Sequence, residues 1–360
     1  AFPALPRKAT SSDSEPMPKS HRAPRASSPK RLRYPRDPAT RYAREVVAGK
    51  RMAGPHVRAA CARHLKDLEQ GDARGLVWDV AEVADAIAFF EEVLRLNGGE
   101  YEGVEFKLLG WQKFVVGSLF GWKTADGHRR FRVAYVETAK GSGKSPLAAG
   151  IGMKGLVADG EPRAEVYAAA TKKDQAMVLF RDAVAMWQQS PELNRRLKSS
   201  GTGENVWNLA YLERAAFFRP ISADDGQSGP RPHIALIDEV HEHRSNTVVE
   251  MMRAGTKSRR QALIFMITNS GASKTSVCWS YHDYGAKVAA GVLEDDTFFA
   301  YVCSLDADDD PITDERCWPK ANPSLQEADL PGMKYLREQV REARGMPSKE
   351  ALVRRLCFCQ

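Results

Sequence analysis

The sequence predicts an α/β fold: a mainly parallel central sheet flanked by helices, with a helical extension on its N-terminal side. Three observations carry this. From Phe131 onward, short β-rich runs alternate with helical ones. The β-rich runs are apolar throughout rather than alternating with polar residues, as strands buried on both faces are. The first of them passes through a Gly/Ser/Lys turn directly into a helix.

The 360 residues, 43% hydrophobic and 28% charged, describe an ordinary globular chain and exclude collagen-like and wholly disordered readings. No stretch approaches the ~18 consecutive apolar residues of a spanning helix, so no membrane is expected as a partner. Six cysteines without paired spacing read as reduced, mostly buried thiols. The net charge of +7 is uneven. Residues 1–60 hold 14 Lys or Arg against four acids, so the remaining body is slightly acidic. A basic, Pro/Ser-rich composition with few large apolar groups predicts that residues 1–60 are a flexible tail.

Residues 61–128 are expected to be the helical N-terminal part. Val80, Val83, Ala84, Ile87, Val93 and Leu94 follow helical spacing up to the stop Asn97-Gly98-Gly99, and a short apolar helix runs through Val116 and Leu119. Residues 129–330 are expected to form the core. Its strands are read at Arg132–Glu137, Ala164–Ala169, Ile234–Ile237 and Leu263–Thr268, its helices at Pro146–Val157 and Lys172–Gln188, and a hairpin is read around Asn205–Phe218. Residues 331–360 are read as a C-terminal helix or linker.

The chemistry begins after Val136. Thr138-Ala139-Lys140-Gly141-Ser142-Gly143-Lys144-Ser145 meets the P-loop pattern at Gly143, Lys144 and Ser145, with Thr138 where the first glycine usually stands. Gly141 and Gly143 let successive N–H groups, including that of Ser142, converge on phosphate oxygens at a helix N-terminus. Lys144 would neutralise the β/γ-phosphates, and Ser145 would offer its hydroxyl to Mg²⁺. Pro146 suits a first helical turn.

A second element, His233-Ile-Ala-Leu-Ile-Asp238-Glu239, is an apolar strand ending in two acids, the Walker B pattern. Asp238 would serve Mg²⁺, and Glu239 would orient and deprotonate a water. The two motifs in this order favour a nucleotide hydrolase. Three weaker features agree with them: Trp111-Gln112 upstream, where Gln112 would read adenine; Thr171 and Gln175 after the second strand; and Thr268-Asn269-Ser270 ending the fourth, where Asn269 would sense the γ-phosphate. His241-Glu242-His243 is read as a solvated polar loop rather than a metal cluster, and Asp306 with Asp308-Asp309-Asp310 as an exposed acidic turn rather than a nuclease centre.

The combination resembles the large terminase subunit of tailed bacteriophages, the ATP-driven motor that packs DNA into a procapsid. The likeness rests on Phe106-x-Leu108-x-x-Trp111-Gln112, the P-loop, Ala169-Ala170-Thr171 with Gln175-Ala176, Ile237-Asp238-Glu239-Val240-His241-Glu242, Thr268-Asn269-Ser270-Gly271 and Trp318-Pro-Lys-Ala321-Asn322-Pro323. It implies an additional-strand (RecA-like) P-loop ATPase using ATP and Mg²⁺. Such a motor works as a ring, a pentamer at the portal vertex in the host cytoplasm, with double-stranded DNA, portal protein and a small terminase subunit as partners. Lys140 stands where the family often has an Arg, keeping the charge without the bidentate fork. Ring ATPases of this kind borrow an Arg from a neighbouring subunit; Arg231 is the candidate, with Arg253, Arg259 and Arg260 as rivals. The resemblance also implies a C-terminal nuclease beyond a linker, so the expectation is a motor part that does not cut DNA alone. The rival readings are a superfamily-2-like helicase fragment, which needs a second RecA-like domain, and a non-hydrolysing ATP-binding assembly adaptor.

Overall fold

The computed structural model describes residues 34–222 and 229–360. Helix α1 (Pro38–Val47) starts where Asp37 accepts the Thr40 N–H and Pro38 occupies the first turn. Its stripe Ala39, Tyr42, Ala43 and Val46 is buried at helical spacing, against α2 (Pro55–Gln70) and α4 (Gly110–Gly121). The expected flexible tail to residue 60 is therefore corrected from Tyr34 onward; its first 33 residues lie outside the described ones. The reason is physical: the basic residues of α1 stay on its outer face while the apolar stripe binds.

The strand β1 (Leu76–Trp78) pairs antiparallel with β2 (Trp122–Thr124), and between them lies α3 (Val80–Ala88). The helix expected to reach Leu94 changes to a π-turn at Phe89–Val93. Buried polar links fasten these N-terminal elements to the rest and to one another. Tyr42 and Tyr301 share a hydroxyl hydrogen bond of 2.8 Å. Arg130, almost wholly buried, reaches Asp67 at 2.8 Å and Asp296 at 2.7 Å. The Trp122 indole donates to His64 Nδ1 at 3.0 Å. Burial pushes that imidazole down to about 4.

The core then alternates as expected. In chain order come β3 (Val133–Glu137), α5 (Lys144–Val157), β4 (Glu165–Ala170), α6 (Lys173–Gln189), α7 (Pro191–Arg196), β5 (Lys198–Ser200), β6 (Asn208–Tyr211), β7 (Ala216–Ser222), β8 (Ile234–Ile237), α8 (Thr247–Gly255), β9 (Leu263–Thr268), α9 (Val277–Ala289) and β10 (Phe298–Val302). All residues of β3, β8, β9 and β10 are buried, the burial expected of parallel strands covered on both faces. The eight strands lie in the order β10-β3-β9-β8-β4-β7-β6-β5, parallel from β10 to β7 and antiparallel beyond.

Two consequences fix the site. In the parallel part, the loops after β3, β9, β8 and β4 all leave from the same edge of the sheet. And β9 lies between β3, which carries the P-loop, and β8, which carries the acids, so its tip at Thr268-Asn269 is interposed between the two motifs. This is the additional-strand arrangement. The sequence reading had no strand at β10, which extends the same sheet beside β3. The stretch after Asn269 thus completes the first domain.

The C-terminal segment forms α10 (Trp318–Ala321), α11 (Leu325–Ala328), α12 (Met333–Gly345) and α13 (Pro347–Phe358). Val353, Cys357, Phe358 and Cys359 join the main core, so residues 331–360 pack as body rather than as linker. All six cysteines are free and buried. Among the described residues no helix is long and apolar enough to cross a membrane.

Candidate active site

The loop from Thr138 to Gly143 is shaped by its glycines. Gly141 has φ +86° and Gly143 φ +82°, both in the left-handed region, and a Cβ on Gly141 would stand 2.7 Å from Pro331 Cβ. Gly143 caps α5, and Lys144 and Ser145 open it. The loop is braced from behind by C-terminal residues. Ala139 N–H donates to Ala321 O at 3.2 Å and Lys140 N–H to Leu356 O at 2.8 Å. The Ser324 hydroxyl donates to Ser142 O at 2.9 Å while accepting from Trp111 Nε1 at 2.9 Å. Asn322 holds Trp318 O and Cys357 O together. The Trp318 to Asn322 motif therefore acts on the phosphate loop through backbone hydrogen bonds, which no local sequence signal announces.

Lys144 is buried, and its ammonium donates to Thr138 O (3.1 Å), Ala139 O (3.0 Å) and Asn269 Oδ1 (2.7 Å). Burial lowers its pKa, offset in part by the charges of Glu239 and Asp238. The structure thus brings together Lys144 of the P-loop, Asn269 at the tip of β9 and Glu239 after β8.

Asp238 is buried, with Oδ1 accepting the Glu239 N–H at 2.7 Å. Burial, then the adjacent Glu239 charge, pushes it up to about 7. For Glu239, burial acts upward, but the His241 ring and the Lys144 and Lys140 charges outweigh it and hold the carboxyl low. Asp238, next to Glu239, and the half-buried Ser145 hydroxyl each offer an oxygen donor of the kind a hard cation such as Mg²⁺ takes.

A cleft of about 630 Å³ joins Lys144, Ser145, Glu239 and Asn269; Asp238, buried behind Glu239, is not among its lining residues. Lys140 to Pro146, Gln112, Glu239 and Asn269 line one side, and Leu96, Tyr101, Val104, Phe106 and Leu109 form an apolar wall. The size and the polar-to-apolar gradient suit a nucleoside triphosphate. Gln112 Oε1 is committed to the Leu109 N–H at 2.9 Å, so its Nε2 end is the one left to meet a ligand.

Other expected residues fall elsewhere. Arg231 is not brought to this cleft: it is exposed at the start of β8, the opposite end of the strand from Asp238, with its N–H on Glu165 and its carbonyl on Arg259. Arg259 is tied down by Glu161 at 3.0 Å. Thr171 donates to Gln175 at 2.9 Å just after β4. Lys320 holds Asp306 and Asp309, and Arg58 and Arg354 hold Asp306 and Asp310, so the acidic turn is an ion-paired corner.

Two features escaped the sequence reading. The loop at His241 is not solvated: His241 and His243 are largely buried, His243 Nε2 lies 3.1 Å from Asp238 O, and His241 Nδ1 lies 3.0 Å from Glu239 Oε2. Glu137, at the end of β3, is a buried carboxylate that accepts from Tyr135 (2.7 Å) and Ser270 and lies 2.9 Å from His282 Nδ1. Only its position inside an apolar strand marked it.

Residues 110–287 match the family model of the terminase large subunit, ATPase domain. Among curated proteins, the chain is 32% identical over 117 residues to protein YmfN of Escherichia coli (strain K12), covering 32% of this chain and 25% of that one. It is 23% identical over 274 residues to the terminase large subunit of Enterobacteria phage HK97, covering 75% of this chain and 51% of that one. The crystal structure of the HK97 bacteriophage large terminase superposes with a TM-score of 0.66 at 22% identity, over 77% of this chain and 55% of that one, a likeness of fold. The chain spans a quarter to about half the length of the relatives it matches.

Proposed function

We propose that this chain, which carries the terminase large-subunit ATPase domain over residues 110–287, is the ATP-hydrolysing part of a motor that drives double-stranded viral DNA into a procapsid. The observation that carries the reading is the convergence of Lys144, Asn269 and Glu239 on one cleft large enough for a nucleoside triphosphate.

The amides from Gly141 to Ser145 bind phosphate oxygens, and Lys144 exchanges its protein oxygens for those of the β/γ-phosphates. Gln112 faces the base. Glu239 accepts a proton from the attacking water, whose oxygen bonds to the γ-phosphorus as the bond to the bridging oxygen breaks and ADP departs. Asp238 and Ser145 would hold Mg²⁺, which when bound supplies charge neutralisation at the phosphates. Asn269, beside Lys144, registers loss of the γ-phosphate. Lys140 adds a further cation at the mouth of the cleft.

The proposal extends to partners and place: a ring of subunits, a pentamer on the portal protein, supplied with DNA by a small terminase subunit, in the host cytoplasm. DNA is gripped through its phosphates, because a motor that packs any sequence cannot depend on base edges. A neighbouring subunit lends an arginine, worth roughly 10³–10⁵ in rate. Arg231, exposed and away from its own cleft, is the candidate, and Arg259, spent on Glu161, is not.

The test is ATP turnover by wild type, Lys144→Ala and Glu239→Gln, with and without DNA. Lys144→Ala should lose binding and turnover; Glu239→Gln should bind ATP and stall, a drop of ~10²–10⁴ in kcat. Wild-type turnover in both variants would overturn the site. Mixing Arg231→Ala subunits with wild type should poison more than their share of activity; strictly proportional loss would remove Arg231.

A further inference from the structure

His241 has no role in the mechanism above, yet it is built into the site from three sides. Its main-chain N–H donates to Thr268 Oγ1 at 3.0 Å, and its ring Nδ1 lies 3.2 Å from the same oxygen. The Thr268 hydroxyl has a single hydrogen, which it donates to Asn269 O at 2.8 Å. The Nδ1 contact then requires the hydrogen to be on the ring nitrogen. That same Nδ1 lies 3.0 Å from Glu239 Oε2, while Nε2 lies 3.1 Å from Glu242 Oε1. The ring is 7% exposed, so it has few other places to go.

Glu239 itself is held in an unusual way. Its backbone has φ +48°, the left-handed region, at the start of the short turn Val240–Glu242. Its Oε2 is buried without an aligned donor among the described residues, because the His241 N–H approaches off the hydrogen-bond axis. The carboxylate is therefore close to a donor whose direction is set by Thr268. On the other side of Thr268, Asn269 Oδ1 takes the Lys144 ammonium at 2.7 Å. The contacts run without a gap from Lys144 through Asn269, Thr268 and His241 to Glu239.

We infer that His241 is a positioning residue that ties the water-activating carboxylate to the tip of β9, so that withdrawal of Lys144 from Asn269 by an incoming triphosphate re-aims Glu239. The inference rests on the reading of Glu239 as the base. A structural brace alone would change stability or affinity; a positioning link changes turnover with the nucleotide already bound.

The experiment measures kcat, KM and affinity for a non-hydrolysable ATP analogue in His241→Ala, His241→Asn, Thr268→Val and Glu239→Gln. His241→Ala and Thr268→Val should each lose about 10–100-fold in kcat, with analogue affinity within about threefold of wild type. His241→Asn, whose amide N–H stands in for Nδ1–H, should recover most of that loss. Thr268→Val keeps shape in a fully buried position, so it carries the test if His241→Ala does not fold. Wild-type kcat in His241→Ala or Thr268→Val while Glu239→Gln is inactive overturns the link alone. Wild-type turnover in Glu239→Gln overturns the reading of the base and the link with it.

Discussion

Lys144 Nζ and Asn269 Oδ1 stand 2.7 Å apart, joining the phosphate loop to the tip of the strand that separates it from the two acids. The ammonium is thus occupied by protein oxygens that a phosphate must displace. Asn269→Ala removes one of these oxygens together with the proposed sensor of the γ-phosphate. Affinity for a fluorescent ATP analogue should hold or tighten slightly, while kcat falls about tenfold or more. Parallel loss of both would mean that Asn269 merely supports the fold.

The two loop glycines should differ when substituted. Gly141→Ala meets both a left-handed backbone and Pro331 at 2.7 Å, whereas a Cβ on Gly143 meets only the flexible Gln112 amide at 3.5 Å. Gly143→Ala should cost ~1 kcal/mol for its backbone, and Gly141→Ala about 2–3 kcal/mol. Urea unfolding midpoints check the order; equal losses would contradict it.

Ser324→Ala leaves the buried Trp111 N–H without its acceptor and frees Ser142 O, at a cost of ~1–3 kcal/mol. Since Ser142 belongs to the phosphate loop, nucleotide affinity should fall as well. Tyr42→Phe, which breaks the Tyr301 hydroxyl pair well away from the loop, should cost ~1 kcal/mol and leave affinity unchanged. Thermal melts with and without nucleotide separate the two.

His64 makes stability fall in acid. Its imidazole is held down to about 4 by burial, against an ordinary value of 6.5. Above pH 6.5 both folded and unfolded chains keep it neutral. Between 6.5 and 4 the unfolded chain takes up a proton that the folded one refuses, so the stability present at neutral pH is lost, by ~2–3 kcal/mol near pH 4.5. Asp238 and Asp182, raised to about 7 and about 6, push the opposite way over similar pH values. The contribution of His64 is therefore read as the gap between wild type and His64→Gln, measured by urea at pH 7 and pH 4.5. The gap should narrow in acid; a constant gap would place the titration elsewhere.

The places of four core strands, β3, β4, β8 and β9, and of the glycine turn after β3 were legible because buried parallel strands are apolar without interruption, and because a loop that cradles phosphate needs glycine at fixed offsets. Averaging concealed α1. Counted over sixty residues, charge and proline spoke for a tail, yet Asp37-Pro38 is a helix start and Ala39, Tyr42, Ala43 and Val46 are a helical stripe. For His241 no local pattern would have served, since the group it meets is Thr268, at the end of β9 and 27 residues away. Likewise Asn322 gains its meaning only where Cys357 and Trp318 meet it.

The staples from Ala321 and Leu356 to the loop have a mechanical consequence. Amides 139 and 140 are already spent on Ala321 of α10 and Leu356 of α13, so any displacement of the loop has to break these two bonds or carry both helices with it.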